Sequence, residues 1–336
     1  MSPSLAQMTY VLPIRRTAVT ADAELARYLG RLASRLPVIV ADGSPPAVFA
    51  QHAASWPRAI VHLPVDPDRR ADLNGKVAGV VTALRRVRTP KVVIADDDVR
   101  YDAFALHRLA ALLEDADVVR PQNVFVPAPW HALLDTGRTL IARATGGDWP
   151  GTLGLRTAAF RRIGCYDGDV LFENLELVRT LRAAGAREHV AYDLYVARRP
   201  PTARHYLAQR VRQAYDELAR PPRLAAQLAL APLLALAAYR CGPAALLAAG
   251  LAGVGLAEAG RRRGGGARVF PASASALAPV WLAERAVTAW VALGLRIAGG
   301  GVRYSHGRLR RAANSEAALR RRLGAGVPAA AERVQR

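Results

Sequence analysis

Lys91-Val92-Val93-Ile94-Ala95-Asp96-Asp97-Asp98-Val99-Arg100 is the stretch on which the reading of this chain turns. An uninterrupted apolar run closed by three carboxylates predicts a buried strand that delivers acidic side chains to the rim of a sheet. A metal ion or a polar ligand fits such a rim.

The segments upstream supply the rest of that sheet. Residues 8–14 form a short apolar strand, and Leu25, Tyr28, Leu29, Leu32 and Leu36 sit at helical spacing over residues 21–36 until Pro37 stops them. Val38-Ile39-Val40-Ala41 is the next strand, ending in the turn sequence Asp42-Gly43-Ser44-Pro45-Pro46. Residues 59–63 are a third apolar run, and Asn74-Gly75-Lys76 opens a helix through Leu84. This alternation predicts an α/β domain with a largely parallel, Rossmann-like sheet. Ligands of such sheets bind at the carboxyl ends of the strands, where Asp42 and the Asp96 to Asp98 cluster both fall. Neither GxGxxG nor GxxxxGK[ST] follows any strand, which removes the main support for dinucleotide and P-loop readings.

Downstream, residues 102–114 read as a helix, 116–119 as a short strand and 130–144 as a helix. A Gly-rich loop, Gly146-Gly147-Asp148-Trp149-Pro150-Gly151-Thr152, leads into Leu153-Gly154-Leu155-Arg156. Asp148-Trp149 either packs on a bound ligand or is buried. Asp167-Gly168-Asp169 makes a turn before an amphipathic helix over residues 172–181, and residues 190–196 read as one more strand.

The chain has 336 residues and a formal net charge of +20, which favours an anionic partner. Lys76 and Lys91 are its only lysines, so the excess is arginine and reflects composition as much as function. No basic-aromatic motif or nucleic-acid module is present, and no nucleic-acid partner is expected. Cys165 and Cys241 form neither a disulfide framework nor a zinc pattern. Met1 to Arg15 lacks the charged start and apolar core of a signal peptide, so the N-terminal domain is expected in the cytoplasm.

From Pro200 the character changes. Residues 201–223 are basic, and apolar runs follow at residues 224–239 and 244–257, joined at Arg240-Cys241-Gly242-Pro243 and closed by Arg261-Arg262-Arg263. Each run is about 15 residues, against ~20 for a straight span. A short membrane hairpin and two buried helices of a soluble bundle both fit, and arginines on the outer flanks favour the hairpin with both ends cytoplasmic. A third segment, residues 277–300, holds Trp281, Trp290, Glu284, Arg285 and Arg296 and is expected to be interfacial or re-entrant. The expected organisation is therefore a catalytic domain over 1–200, a basic interface segment over 201–223, a membrane hairpin over 224–258, the segment at 277–300, and a basic, partly disordered tail over 301–336.

Asp96 and Asp98 have the D-x-D spacing with which Mg²⁺ or Mn²⁺ bridges two phosphates of a nucleotide-sugar. The competing reading is a helix cap with solvated carboxylates. Asp42 either accepts from a nucleotide base or ribose, or begins an Asx turn.

The order of a VLP strand, a VIVxDGS strand, a GK helix, a DDD strand end, G-x-L-G-x-R, an acidic F-E-N-L-E helix, Q-x-x-R and apolar helices resembles the family-2 glycosyltransferases of GT-A fold. It is most similar to the membrane-bound processive and ceramide-glucosyltransferase-like branches, over residues 8–215. The resemblance implies that Asp42 meets the nucleotide base, that Asp96 and Asp98 are the D-x-D, and that Lys76 of the G-K helix lies with the donor. It places Gln209 and Arg212 along the donor or acceptor channel, with Gln213 replacing the family's tryptophan. It implies an inverting transfer from a nucleotide-diphosphate sugar, UDP-sugar favoured, to a lipid or lipid-linked hydroxyl at the cytoplasmic membrane face. The acceptor's base lies in the acidic segment, where Glu173-Asn174 replaces the usual Glu-Asp. Glu173 is the first candidate, Asp169 the second and Glu176 the third. The alternative is a catalytically inactive GT-A-fold protein that binds nucleotide or partners at the membrane.

Overall fold

The computed structural model describes residues 5–18, 22–304 and 307–324. Eight strands form one sheet: β1 (Met8–Ile14), β2 (Val38–Asp42), β3 (Val61–Pro64), β4 (Lys91–Ala95), β5 (Val99–Arg100), β6 (Val118–Phe125), β7 (Thr152–Arg156) and β8 (Glu188–Arg198). Their order is β3-β2-β1-β4-β7-β6-β8-β5. The first four are parallel, β7 runs antiparallel to both β4 and β6, β6 and β8 are parallel, and β5 is antiparallel to β8. The sheet is thus mixed rather than largely parallel: β7 reverses direction directly beside the acid-bearing strand. A parallel half, an antiparallel strand at its edge and carboxylates at the junction make up an α/β domain, as expected from the sequence.

Helices α1 (Ala23–Ala33), α2 (Pro46–Ser55), α3 (Gly75–Leu84), α4 (Ala103–Leu112), α5 (Trp130–Ala144), α6 (Thr157–Ile163) and α7 (Glu173–Ala183) belong to this domain. Successive strand residues feed two separate cores. Tyr10, Leu12, Val40 and Val93 pack with Leu25, Leu29, Leu106 and Leu109 in one, and Val11, Ile39, Ile94, Leu153 and Leu155 pack with Val77, Val81 and Leu181 in the other. Burial of both faces explains the unbroken apolar run of β4. Helix α2 was legible only as a turn, because Pro46 stands at its first helical position, where a missing N–H costs nothing.

The remaining helices are α8 (Ala203–Ala208), α9 (Arg210–Tyr215), α10 (Pro221–Cys241), α11 (Ala244–Arg262), α12 (Ala272–Ala276), α13 (Ala278–Ile297) and α14 (Glu316–Gly324). Helices α10 and α11 have 21 and 19 residues, longer than their apolar runs, since the flanking Pro, Arg and Ala residues continue the helix. The segments Pro221–Cys241, Ala244–Arg268 and Ala272–Ile297 are each long and apolar enough to cross a membrane. Segment 277–300 holds an unbroken helix of 20 residues rather than a re-entrant bend.

The basic tail departs from its expectation over residues 302–324. Strands β9 (Val302–Tyr304) and β10 (Gly307–Leu309) form a hairpin, and Leu309 and Ala312 share a core with Leu171, Leu175, Ala214 and Tyr215. Asn314 Nδ2 donates to Glu176 Oε1 at 2.7 Å and to Asp167 Oδ2 at 2.9 Å, which anchors the tail to the α/β domain. Residues 325–336 of the expected disordered end lie outside the described residues, as does Ala21 at the start of the first expected helix.

Helix α11 docks on α5 through Gly260, where an added Cβ would lie 1.9 Å from the Leu140 carbonyl oxygen. Arg143 Nε donates to the Gly260 carbonyl at 3.1 Å. Gly260→Ala must therefore push two helix backbones apart. A loss of about 1–3 kcal/mol is expected, read as a lower Tm of the detergent-solubilised chain. An unchanged Tm would mean that α11 does not pack this way.

Candidate active site

The rim at the end of β4 is built by three neighbouring elements. Asp96 follows β4, and its N–H donates to the Gly151 carbonyl at 2.8 Å. A Cβ on Gly151 would lie 2.6 Å from Asp96 Oδ2, so the Gly-rich loop approaches this closely only without a side chain. Arg198, at the end of β8, reaches back to place Nε 2.9 Å from Asp98 Oδ2 and Nη2 3.5 Å from Asp96 Oδ2. Lys76, in the first turn of α3, lies 2.5 Å from Asp96 Oδ1 and 2.7 Å from Glu173 Oε1.

These charges set each other's protonation. Burial alone would lower the Lys76 pKa, but the Asp96 and Glu173 carboxylates outweigh it and hold the ammonium above its ordinary value. Arg198 is raised for the same reason by Asp98 and Asp96, against the cost of burial. Burial pushes Asp98 upward, with Arg198 opposing and Asp96 adding. Asp98 Oδ1 is buried and accepts no hydrogen bond from the described residues.

Asp96, Glu173, Gln209 and Arg212 line a single cavity of about 180 Å³, together with Trp149, Asn174, Asp216 and Arg285. Asp98 lines an adjoining one with Gln209, Arg212 and Arg198. Asp169 lines neither, and its Oδ1 accepts from Leu73 N at 3.2 Å. Glu176 is fully buried with both oxygens accepting from Asn314. Of the three candidate bases, Glu173 alone faces the cavity. Asp148 is buried and ion-paired to Arg138 at 2.6 Å, while Trp149 carries the Arg120 guanidinium 4.0 Å from its ring centroid.

Asp42 lies apart from these residues, in a larger cavity of about 640 Å³ lined also by Arg15, Ser44, Phe49, Val65 and Arg69. Its Oδ2 is 2.7 Å from His52 Nδ1 and 3.1 Å from His62 Nε2, and its Oδ1 accepts from Ser44 N at 2.9 Å. Burial raises the carboxyl pKa, but hydrogen bonds from His62, His52 and Ser44 bring it down to about 2. His52 stacks on Trp56 and His62 on Phe49, which fixes both rings. Asp42, His52 and His62 place three ligand atoms within 4.8 Å of one another, a nitrogen and oxygen donor set that suits a divalent cation. The hydrogen bonds already engage both carboxylate oxygens.

Two cavity residues were not legible beforehand. Arg198 gave no signal beyond ending an apolar strand. Asp216 stands one helical turn after Arg212, and this spacing was the only clue. Burial raises Asp216 to about 7, opposed by Arg212 and reinforced by Glu173.

No known family's model and no curated protein matches the chain. Among solved structures it is similar to a mannosyltransferase from Pyrobaculum calidifontis in complex with GDP-Man and Mn2+, at 21% identity over 86% of this chain and 89% of that chain, TM-score 0.49. It is also similar to mannosyl-3-phosphoglycerate synthase from Rubrobacter xylanophilus, at 16% identity over 62% and 74% of the two chains, TM-score 0.39. A third is glucosyl-3-phosphoglycerate synthase from Mycobacterium tuberculosis in complex with Mn2+, UDP and phosphoglyceric acid, at 17% identity over 59% and 72%, TM-score 0.38.

A carboxyl whose folded pKa is raised binds more protons folded than unfolded, so its contribution to stability falls as pH rises from about 4 to about 7. Asp216→Asn mimics the protonated form. The variant should match the native Tm near pH 4, exceed it increasingly up to about pH 7, and keep a constant advantage above that. A pH-independent difference in scanning fluorimetry would rule out the buried, raised carboxyl.

Proposed function

We propose that the chain transfers a sugar, with inversion, from a nucleotide-diphosphate sugar to a hydroxyl of a lipid or lipid-linked acceptor at the cytoplasmic membrane face. The observation that carries this reading is the one cavity that joins Asp96 and Glu173 at the sheet rim to Arg223 and Arg285 at the apolar helices.

Asp96 and Asp98 would hold Mg²⁺ or Mn²⁺. The buried, unpartnered Asp98 Oδ1 beside a second carboxylate is the donor set that a hard divalent cation takes. Such an ion supplies charge neutralisation for a diphosphate leaving group. The larger cavity, with Phe49 at its wall and Asp42 at its end, suits the nucleotide base. Gln209 and Arg212 line the path between donor and acceptor. Glu173 takes the proton of the acceptor hydroxyl as its oxygen bonds to the anomeric carbon and the bond to the diphosphate breaks. Lys76 orients Glu173 and holds Asp96 in place through the same ammonium.

The test uses the full chain in detergent or membranes, a panel of UDP- and GDP-sugars, and Mn²⁺. Release of nucleoside diphosphate should require both cation and lipid acceptor. Glu173→Gln should lower kcat by about 10²–10⁴ with donor affinity retained. Asp98→Asn should lower turnover by about 10² or more and weaken the dependence on Mn²⁺. Full turnover in both variants, or no donor bound from the panel, would reject the reading.

A further inference from the structure

Arg285, on α13, lines the same cavity as Asp96 and Glu173 of the sheet rim. It is 1% exposed, and its Nε and Nη1 meet no hydrogen-bond partner among the described residues. The Nη2 contact to Glu284 Oε2 is 3.9 Å, too long for a hydrogen bond, and that oxygen also faces Arg210 Nε at 3.6 Å. Four other arginines of the cavity are committed elsewhere, and Arg212 packs on the Tyr304 ring. Arg138 pairs with Asp135 and Asp148, Arg198 with Asp96 and Asp98, and Arg220 and Arg223 both turn to Glu217.

A buried guanidinium short of acceptors is costly, and its rigid fork matches the oxygens of a phosphate. Arg285 lies on α13, one of three helices among the described residues that are long and apolar enough to cross a bilayer. A charged residue in such a helix is retained where it faces the bundle interior and meets a ligand or a partner. Helix α13 packs on α5, α9 and α10, and outward it exposes Val287, Trp290 and Val291. Lipid therefore has apolar surface beside a buried cation that opens on the cavity.

We propose that Arg285 seats the phosphate of an anionic lipid headgroup, presented to the cavity from the side of the apolar helices. The inference rests on the transferase reading only in placing that lipid phosphate beside the acceptor position; the binding itself does not depend on it. A donor diphosphate offers the same chemistry, so the experiment separates the two sources.

The full chain in phosphatidylcholine nanodiscs is titrated with a polyprenyl monophosphate and, separately, with UDP and GDP in the presence of Mn²⁺. The lipid phosphate should saturate, and Arg285→Gln should weaken it by roughly tenfold or more while nucleotide affinity stays within about twofold. Loss of nucleotide binding with lipid binding intact would assign the guanidinium to the donor and overturn the proposal. No change in either would make Arg285 a packing residue and overturn it too. If the variant does not fold, the native chain is compared with polyprenyl monophosphate and the matching polyprenol. A Tm rise for the monophosphate alone supports the site, and equal rises for both lipids overturn it. Lipid-phosphate binding without any nucleotide binding would reject the transferase reading and leave this site standing.

Discussion

One ammonium group ties the α/β half of the molecule together. Lys76 stands between Asp96 and Glu173, which arrive from a strand end and a helix start far apart in sequence. Two unit charges about 4 Å apart interact by about 4 kcal/mol at the effective dielectric of a protein surface. Each carboxylate therefore gains an attraction to the shared ammonium that offsets its repulsion from the other. Arg198 does the same for Asp96 and Asp98. A cluster of acids at a half-buried rim is stable here because each carboxylate has a cation that comes from another element.

That arrangement explains what the sequence disclosed. The apolar run of β4 and its acidic end were legible because burial on both faces leaves a continuous hydrophobic signal and because chemistry collects where the strand stops. The cations were not legible. Arg198 meets Asp98 only because β5 pairs antiparallel with β8, a pairing between segments that no local pattern connects. The direction of β7 was hidden for the same reason, since Leu153-Gly154-Leu155 reads alike in a parallel or antiparallel strand. Helix α2 hid behind its prolines, and residues 302–324 hid behind their charge, although Leu309 and Ala312 supply apolar contacts that bring them onto α7 and α9.

The returning tail has a structural consequence at the site. Tyr304 Oη lies 3.3 Å from Asn74 Oδ1, which also caps α3 by accepting from Lys76 N at 3.1 Å. The Arg212 guanidinium sits 5.2 Å from the Tyr304 ring centroid. One residue of the tail hairpin thus touches the cap that positions Lys76 and packs on the arginine lining the cavity. The Glu173 helix is held from the same side by Leu175, Glu176 and Asn314. The C-terminal segment is therefore part of the scaffold that sets the rim, and not an appendage to it.

Asn174, the departure from the expected Glu-Asp pair, has a physical account within this scaffold. Its Nδ2 donates to the Pro150 carbonyl at 2.9 Å, one residue before the glycine that presses on Asp96. An ionised aspartate there has no proton to donate and would set a carboxylate against a carbonyl oxygen, an unpaired buried acceptor of the costly kind. The amide trades a second acid for a fixed loop. Glu173 is then the carboxylate left facing the cavity from that pair, and Asp216, raised to about 7 by burial and by Glu173, is kept partly neutral at the same wall. Burial of Asp216 beside Glu173 therefore keeps the second carboxyl of this wall from adding a full negative charge to the cavity.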